Sequence, residues 1–491
     1  MPHVLRSDGT FCYLDRKSVV LDRYRPAETI IQCLDRADQV LRDAVRGRLI
    51  DDLAEEFGAY WAEGEVLVDL PSDFEGDARI HIFRLDADPE HETILVGRET
   101  SRFAALHRRN TGRDPDAGIL CPVIVVPPVS FDPKLSWPPK DLAELNAWLK
   151  KMAPNALGVV EASFARTKDH HTQWICLSAP NGRFFVSAEI AKPYRTPEIL
   201  KNRRGSISRT LGRVPTAVVI SGYVGVPVDE DYVFSRNLGQ MKNLAGKRIL
   251  LIGCGTVGGF LAQQLAQSGA GAHGGKLLLV DDDTLQGANL GRHLLGAPYL
   301  TWNKAEACAD FLRLQLPHLD IGSSPTSITK QIDILGRYDI CVDATGEEAL
   351  SIALNEHAVR RRPDFPPMLY VWIEGNGAAA VGFMAHDPER ACFKCLKVDL
   401  AGQKRFRLLR DGVEVEAGRN LACGDAHYIP FPVSRAASAA GLACDMVLDW
   451  SNGDERHRWR SIAMDHRRAI EIKDGNPDLI VRCPACGNEP T

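Results

Sequence analysis

The sequence predicts an α/β protein built around a parallel sheet in residues 230–491, and three observations predict it. An apolar run, Arg248-Ile249-Leu250-Leu251-Ile252, leads directly into Gly253-Cys254-Gly255-Thr256-Val257-Gly258. A second apolar run, Leu277-Leu278-Leu279-Val280, ends in Asp281. Ala305, Cys308, Ala309, Leu312 and Leu316 then recur at helical spacing after Lys304. Short branched runs bounded by charge and glycine suit strands buried on both faces, and their alternation with helical periodicity gives parallel units.

The first strand and its turn have the Rossmann-like form. Gly253, Gly255 and Gly258 permit a tight turn, let the backbone approach phosphate, and let the following helix pack on the sheet. Phosphate then lies at a helix N-terminus, where free amides and the helix dipole favour an anion. Asp281, 23 residues after Gly258, is placed to accept hydrogen bonds from ribose hydroxyls. Taken alone, such a turn serves dehydrogenases, methyltransferases and structural α/β units equally.

Upstream, residues 1–64 contain the turn-forming Ser7-Asp8-Gly9-Thr10 and then Ile30, Cys33, Leu34, Ala37, Leu41 and Val45 at helical spacing. Residues 65–229 change to short β-rich runs such as Ala78–Phe83 and Val123–Val126, separated by Pro-rich turns. They read as an α+β middle domain ending in a linker from Lys192 to Asp229, with no motif that assigns a role. The last domain opens near residue 230.

Composition narrows the function classes. Hydrophobic residues make up 45% of the 491 and charged residues 25%, the balance of an ordinary globular chain, and the length calls for more than one core. The formal net charge of −5 comes without a long basic run, which argues against nucleic acid as a partner. No stretch approaches the roughly 20 apolar residues that span a bilayer, and no leader pattern opens the chain. The expectation is a cytoplasmic protein whose 13 cysteines stay reduced. Six of them, Cys33, Cys121, Cys176, Cys254, Cys308 and Cys341, lie in apolar runs, helical faces or the glycine turn and fill space, as does Cys444 in the helical stretch after Ala436.

The segment Val280-Asp281-Asp282-Asp283-Thr284, then Ala288-Asn289-Leu290-Gly291-Arg292, then Lys304 twelve residues later, resembles the adenylyltransferase family that contains ubiquitin-activating enzymes and the ThiF and MoeB proteins. The resemblance implies ATP. Asp281 would hold the ribose, Asp283 would lie beside the phosphates, and Asn289, Arg292 and Lys304 would contact the phosphates and stabilise charge as pyrophosphate leaves. Phe234-Ser235-Arg236-Asn237 resembles the family's segment before the first strand, whose arginine reaches the ATP of the partner subunit. Arg236 then implies a homodimer, the other reading being an exposed linker arginine. The family places a magnesium aspartate in the form D-x-x-D, whereas Asp343-Ala344-Thr345-Gly346 has glycine at the second position. Either Asp343 reaches Mg²⁺, helped by Glu347, or Asp283 and the phosphates hold it; Asp343 is the expectation.

Cys392-Phe393-Lys394-Cys395 and Cys483-Pro484-Ala485-Cys486 are two C-x-x-C pairs, and tetrahedral thiolates suit Zn²⁺. The 87 residues between them exceed a compact zinc ribbon, and a redox dithiol is the rival. Many members of the resembled family bind a structural zinc with one pair soon after the nucleotide domain and one at the C-terminus, which implies zinc on all four cysteines.

Two further cysteines are candidate acyl carriers. Cys423-Gly424-Asp425-Ala426-His427 precedes a helical stretch of small residues and resembles the catalytic-cysteine segment of activating enzymes; a helix N-terminus lowers a thiol pKa. Pro2-His3-Val4, then Gly9-Thr10-Phe11-Cys12, resembles the active-site stretch of ubiquitin-conjugating enzymes, with His3 in the place of their asparagine. In those enzymes a helix and a β-meander come before the motif, so its start here is expected to be truncated, completed by a separate chain, or a relic. A conjugating-like segment ahead of an activating domain matches the fused enzymes of bacterial antiviral operons such as CBASS.

The implied function is ATP-dependent adenylation of the C-terminal glycine of a ubiquitin-like protein, or of another protein ending in glycine, followed by thioester transfer to Cys423 and Cys12 and conjugation to a target. One alternative is a sulfur-carrier-protein adenylyltransferase of cofactor biosynthesis, which has no use for Cys12. Others are an NAD-dependent oxidoreductase, which has no need of Arg292 and Lys304, and a nonenzymatic scaffold.

Overall fold

The structure, a computed structural model, describes residues 3, 10–14, 21–49, 52, 56–83, 93–97, 103, 107–108, 110–132, 134–166, 172–192, 214–399, 402–419, 427–454 and 456–487. The chain divides into two compact units, residues 1–229 and 230–491. None of the described helices is long and apolar enough to cross a membrane.

The first unit runs α1 (Pro26–Val45), α2 (Phe57–Trp61), β1 (Gly64–Asp69), β2 (Gly76–Phe83), β3 (Thr93–Gly97), β4 (Ile119–Val125), α3 (Leu142–Met152), α4 (Pro154–Arg166), β5 (Thr172–Ala179), β6 (Gly182–Ile190) and β7 (Val218–Pro227). The strands close into a barrel in the order β1-β3-β2-β4-β5-β6-β7, sealed by parallel pairing of β7 with β1. Alternating residues of the strands, among them Val66, Ile80, Val96 and Phe185, pack into one apolar cluster. A second cluster forms where α2, α3 and α4 cover the barrel. Phe57 sits 4.7 Å edge-on to Phe184, and Trp61 donates its indole N–H to Phe185 O at 3.0 Å. Phe57 and Trp61, upstream of residue 64, thus pack with the barrel of the first unit.

The second unit runs α5 (Glu230–Ser235), β8 (Arg248–Ile252), α6 (Thr256–Gln267), β9 (Lys276–Val280), α7 (Lys304–Gln315), β10 (Ile321–Ser324), β11 (Ile340–Asp343), α8 (Glu348–Val359), β12 (Met368–Glu374), β13 (Ala379–Ala385), the short pair β14 (Gly418–Arg419) and β15 (His427–Tyr428), α9 (Val433–Ser451) and β16 (Trp459–Ala463). Its main sheet has the order β10-β9-β8-β11-β12-β13-β16. The strands β10, β9, β8, β11 and β12 pair in parallel, and β13 and β16 add an antiparallel edge. Successive strands run outward from β8 to β10 on one side and from β11 onward on the other. The order thus reverses between β8 and β11, and the crevice outside their carboxyl ends is where such sheets take ligands.

Helix boundaries follow from local chemistry. Asn303 caps α7 by accepting the Glu306 N–H. On the sheet's flank α6 packs along α9. Both contribute small buried residues, Ala262 and Ala266 from one and Ala436, Ala439, Ala440 and Ala443 from the other, so the backbones can approach closely.

Candidate active site

The glycine turn after β8 lies against the loop after β11. Gly253 has φ +87, and a Cβ there would come within 2.9 Å of Thr345 Cγ2; one on Gly258 would sit 1.8 Å from Gly253 O. Gly255, which caps α6, faces open space, with nothing within 4 Å of the position its Cβ would take. The three glycines therefore have three uses: a left-handed turn, close packing of α6, and an unobstructed approach to the helix N-terminus.

Asp281 is tied to this turn. Its carboxylate accepts the Cys254 N–H at 2.6 Å and the Asp283 N–H at 2.8 Å. Burial raises its pKa, while those two amides and the Lys304 charge pull the other way. Asn303 donates to the carbonyls of Asp281 and Asp283 at 2.7 and 3.1 Å, which joins the start of α7 to the end of β9. Lys304 Nζ consequently reaches Asp283 at 2.7 Å.

His293 was not singled out in the sequence. Its Nδ1 accepts the Leu295 N–H at 3.1 Å, so Nε2 carries the proton and donates to Cys254 O at 2.7 Å. Burial pushes its pKa down, consistent with a neutral ring. His293 thus pins the segment carrying Arg292 to the glycine turn. Its position directly after Arg292 was the available signal.

These elements enclose a cavity of about 1250 Å³, beyond the roughly 300–1,000 Å³ of a single small-molecule site. Gly253, Gly255, Asp281, Asp283, Arg292 and Lys304 line one part of it. Another part is aromatic, from Tyr370, Trp372, Phe393, Phe406 and Trp459, with Phe406 stacked on Trp459 at 4.1 Å. Glu374 in this wall accepts from Lys404 Nζ at 2.8 Å and from the Trp372 indole at 3.0 Å.

Four expected site residues lie outside the wall, one of them Gly258, which packs α6 on the turn. Asn289 accepts the Gln286 N–H at 2.9 Å and closes its own turn. Arg236 is exposed, its guanidinium 5.7 Å from the Tyr232 ring centre. Asp343, expected as a magnesium ligand, is 1% exposed. Its carboxylate accepts from Thr345 N at 3.0 Å, Thr345 Oγ1 at 2.6 Å and Ser351 Oγ at 2.6 Å. Burial raises its pKa while these bonds oppose the shift. Asp343 braces the loop, and it is Glu347, on that loop, that lines the cavity.

The sulfurs of Cys392, Cys395, Cys483 and Cys486 lie within 4.8 Å of one another, at 3.9 Å for 392–395, 3.8 Å for 392–483 and 3.5 Å for 395–486. Tetrahedral zinc with Zn–S of about 2.3 Å separates its sulfurs by about 3.8 Å, so the four thiols fit that ion.

In the first unit Cys12 is exposed and donates its N–H to His3 O at 2.7 Å. The His3 ring is bracketed by Glu56 at 2.7 Å and Asp52 at 3.1 Å, carboxylates with no sequence signal linking them to His3. Cys423, the other expected acyl carrier, lies outside the described residues.

Residues 232–450 match the ThiF family, and residues 1–68 match the Prokaryotic E2 family B. The ATP-dependent ubiquitin transferase-like protein Cap2 of Pseudomonas aeruginosa is 32% identical over 99% of this chain and 87% of its own length. A protein of the same description from Escherichia coli is 26% identical over 94% of this chain and 81% of its own. Among solved structures, Escherichia coli MccB with ATP aligns with 49% of this chain and 66% of its own, at 19% identity and a TM-score of 0.37.

Proposed function

Because this chain belongs to the family of ATP-dependent ubiquitin transferase-like proteins and is an E1-like adenylyltransferase, we propose that it adenylates the C-terminal glycine of a ubiquitin-like protein, or of another protein ending in glycine, and passes the acyl group through cysteine thioesters to a target. The observation that carries this is the cavity itself. A helix N-terminus, Arg292 and Lys304 converge at one part of it, and an apolar, aromatic extension adjoins them with room for a peptide tail.

The residues divide the work by charge. Asp281 accepts from ribose hydroxyls, while Arg292, Lys304 and the open amides at Gly255 meet the phosphates. The carrier carboxylate attacks the α-phosphorus and pyrophosphate departs, and the cations stabilise the charge that develops on it. Asp283 and Glu347 offer the hard oxygen donors that Mg²⁺ prefers. When bound, that ion would neutralise phosphate charge. AMP is a good leaving group from the adenylate, so a thiolate can then attack the acyl carbon, forming the thioester and releasing AMP. Cys423 is proposed as the first thiol and Cys12 as the second, reached by transthiolation. Zinc held by the four clustered cysteines would supply folding energy.

Two finer points belong to the same proposal. Arg236, exposed and outside its own cavity wall, is proposed to reach the nucleotide of a second copy in a homodimer. Conjugation in an antiviral defence setting is supported by the joined activating and conjugating-type segments. The test is pyrophosphate exchange with ATP and Mg²⁺ in the presence of a carrier ending in glycine. Exchange should depend on that glycine, and exchange unchanged by Arg292→Ala would refute the proposal.

A further inference from the structure

The four-cysteine cluster and the cavity share a wall. Phe393 and Lys394, between Cys392 and Cys395, both line the cavity, as do Leu396 and Lys397 just beyond. One buried side chain holds this turn from behind. Asn355, 1% exposed, lies with its amide nitrogen 3.6 Å from Cys392 Sγ, and its carbonyl oxygen accepts the Phe393 N–H at 2.9 Å. Four residues earlier on the same face of α8, Ser351 donates to Asp343 at 2.6 Å, and Glu347 to Ala353 line the cavity too. Lys397 adds a second tie, 3.4 Å from Glu348 at the start of that helix. Phe393 in turn packs 4.5 Å from the Tyr370 ring.

From this we infer that Asn355 is a positioning residue that makes the metal knuckle a working part of the substrate wall. The inference rests on reading the four cysteines as zinc ligands. An amide N–H directed at a metal-bound thiolate is a charge-assisted bond to the ligand, stronger than one to a neutral thiol. The same side chain, through the Phe393 N–H, sets the angle at which the stretch from Phe393 to Lys397 meets the acyl-carrier tail. Ser351 does the corresponding work for the loop on the nucleotide side, so one helix face carries two separable supports. The ion would then order a wall that touches substrate.

The purified full chain tests this with three readouts that do not depend on turnover: metal content, release of metal to a chromogenic chelator, and hydrogen exchange across residues 392–397. Asn355→Ala should release zinc about 10–100-fold faster, the usual loss for a partner of a metal ligand. Exchange across 392–397 should rise, and a fluorescent ATP analogue should bind within about twofold of wild type. Ser351→Ala should weaken that nucleotide binding and leave metal release unchanged. Stripping zinc from the wild type should reproduce the exchange increase, which keeps the test open if Asn355→Ala fails to fold. A wild type without metal would overturn the zinc reading and this inference with it. A metal-loaded wild type, with Asn355→Ala releasing zinc at the wild-type rate or stripping leaving 392–397 unchanged, would overturn the inference alone.

Discussion

Lys304 Nζ lies 2.7 Å from the Asp283 carboxylate, with the lysine side chain 11% and the aspartate 74% exposed. The cation is fixed by burial while its counterion stays open to the cavity. On the proposed reading, a triphosphate entering there would meet a pre-oriented ammonium, and Asp283 would turn to the metal ion. On the proposed reaction, the ammonium is already in place when pyrophosphate leaves.

Lys304→Ala should therefore lower pyrophosphate exchange by about 10²–10³ with little change in the melting temperature of the apo protein. Radiolabelled exchange at saturating ATP measures it; a loss under about threefold would place Lys304 outside the reaction.

His293 gives a pH dependence with a definite sign. Burial holds its folded pKa below the ordinary value of about 6.5, so between those values the unfolded chain binds a proton that the folded chain does not. Its contribution to stability is complete above about pH 6.5 and is lost as pH falls through the lowered pKa. Melting temperatures between pH 5 and 7 should fall more steeply for wild type than for His293→Gln. Parallel curves would remove the neutral-histidine account.

Asp343 and Glu347 should separate in their metal dependence. Glu347→Gln is expected to raise the Mg²⁺ concentration needed for half-maximal exchange, with stability unchanged. Ser351→Ala, which takes one hydrogen bond from a buried carboxylate, should destabilise the fold by about 1–3 kcal/mol and leave the Mg²⁺ requirement alone. Magnesium titrations and thermal melts on both variants decide between the two carboxylates.

Removing the proposed zinc should unfold part of the second unit. Cys483→Ser, or prolonged chelation of wild type, is expected to lose most of the bound zinc and lower the melting temperature, since metal binding free energy is folding free energy. Less than about half an equivalent of zinc per folded wild-type chain would count against the site.

The two proposed acyl-carrier cysteines should have distinct signatures on a non-reducing gel. Cys423→Ala should abolish every reducing-agent-sensitive adduct, whereas Cys12→Ala should let adduct accumulate on Cys423 and stop transfer to a target. Adduct that survives Cys423→Ala would move the first thioester elsewhere.

Much of the nucleotide crevice was legible because its parts are local in sequence. A buried strand, three spaced glycines and an aspartate at the end of the next strand each leave a pattern within a few residues. The seven-stranded barrel was not legible beyond a β-rich tendency. Its closure depends on β1 pairing with β7, residues 64–68 with 223–227, and no local pattern encodes which distant strand closes a sheet. The same limit hid the place of Phe57 and Trp61 in the barrel unit.

The sequence by itself determined the order of chemical groups: the glycine turn, Asp281, Arg292, Lys304 and the two cysteine pairs. Tertiary structure alone decided what each carboxylate and amide faces. It buried Asp343 under Thr345 and Ser351 and turned Glu347 to the cavity, although only four positions separate them. It also brought Cys392 within 3.8 Å of Cys483 across 91 positions and set Asn355 against them. The physical reason is that ionic and hydrogen-bonding roles depend on burial and on partners a few ångströms away, and only packing sets those.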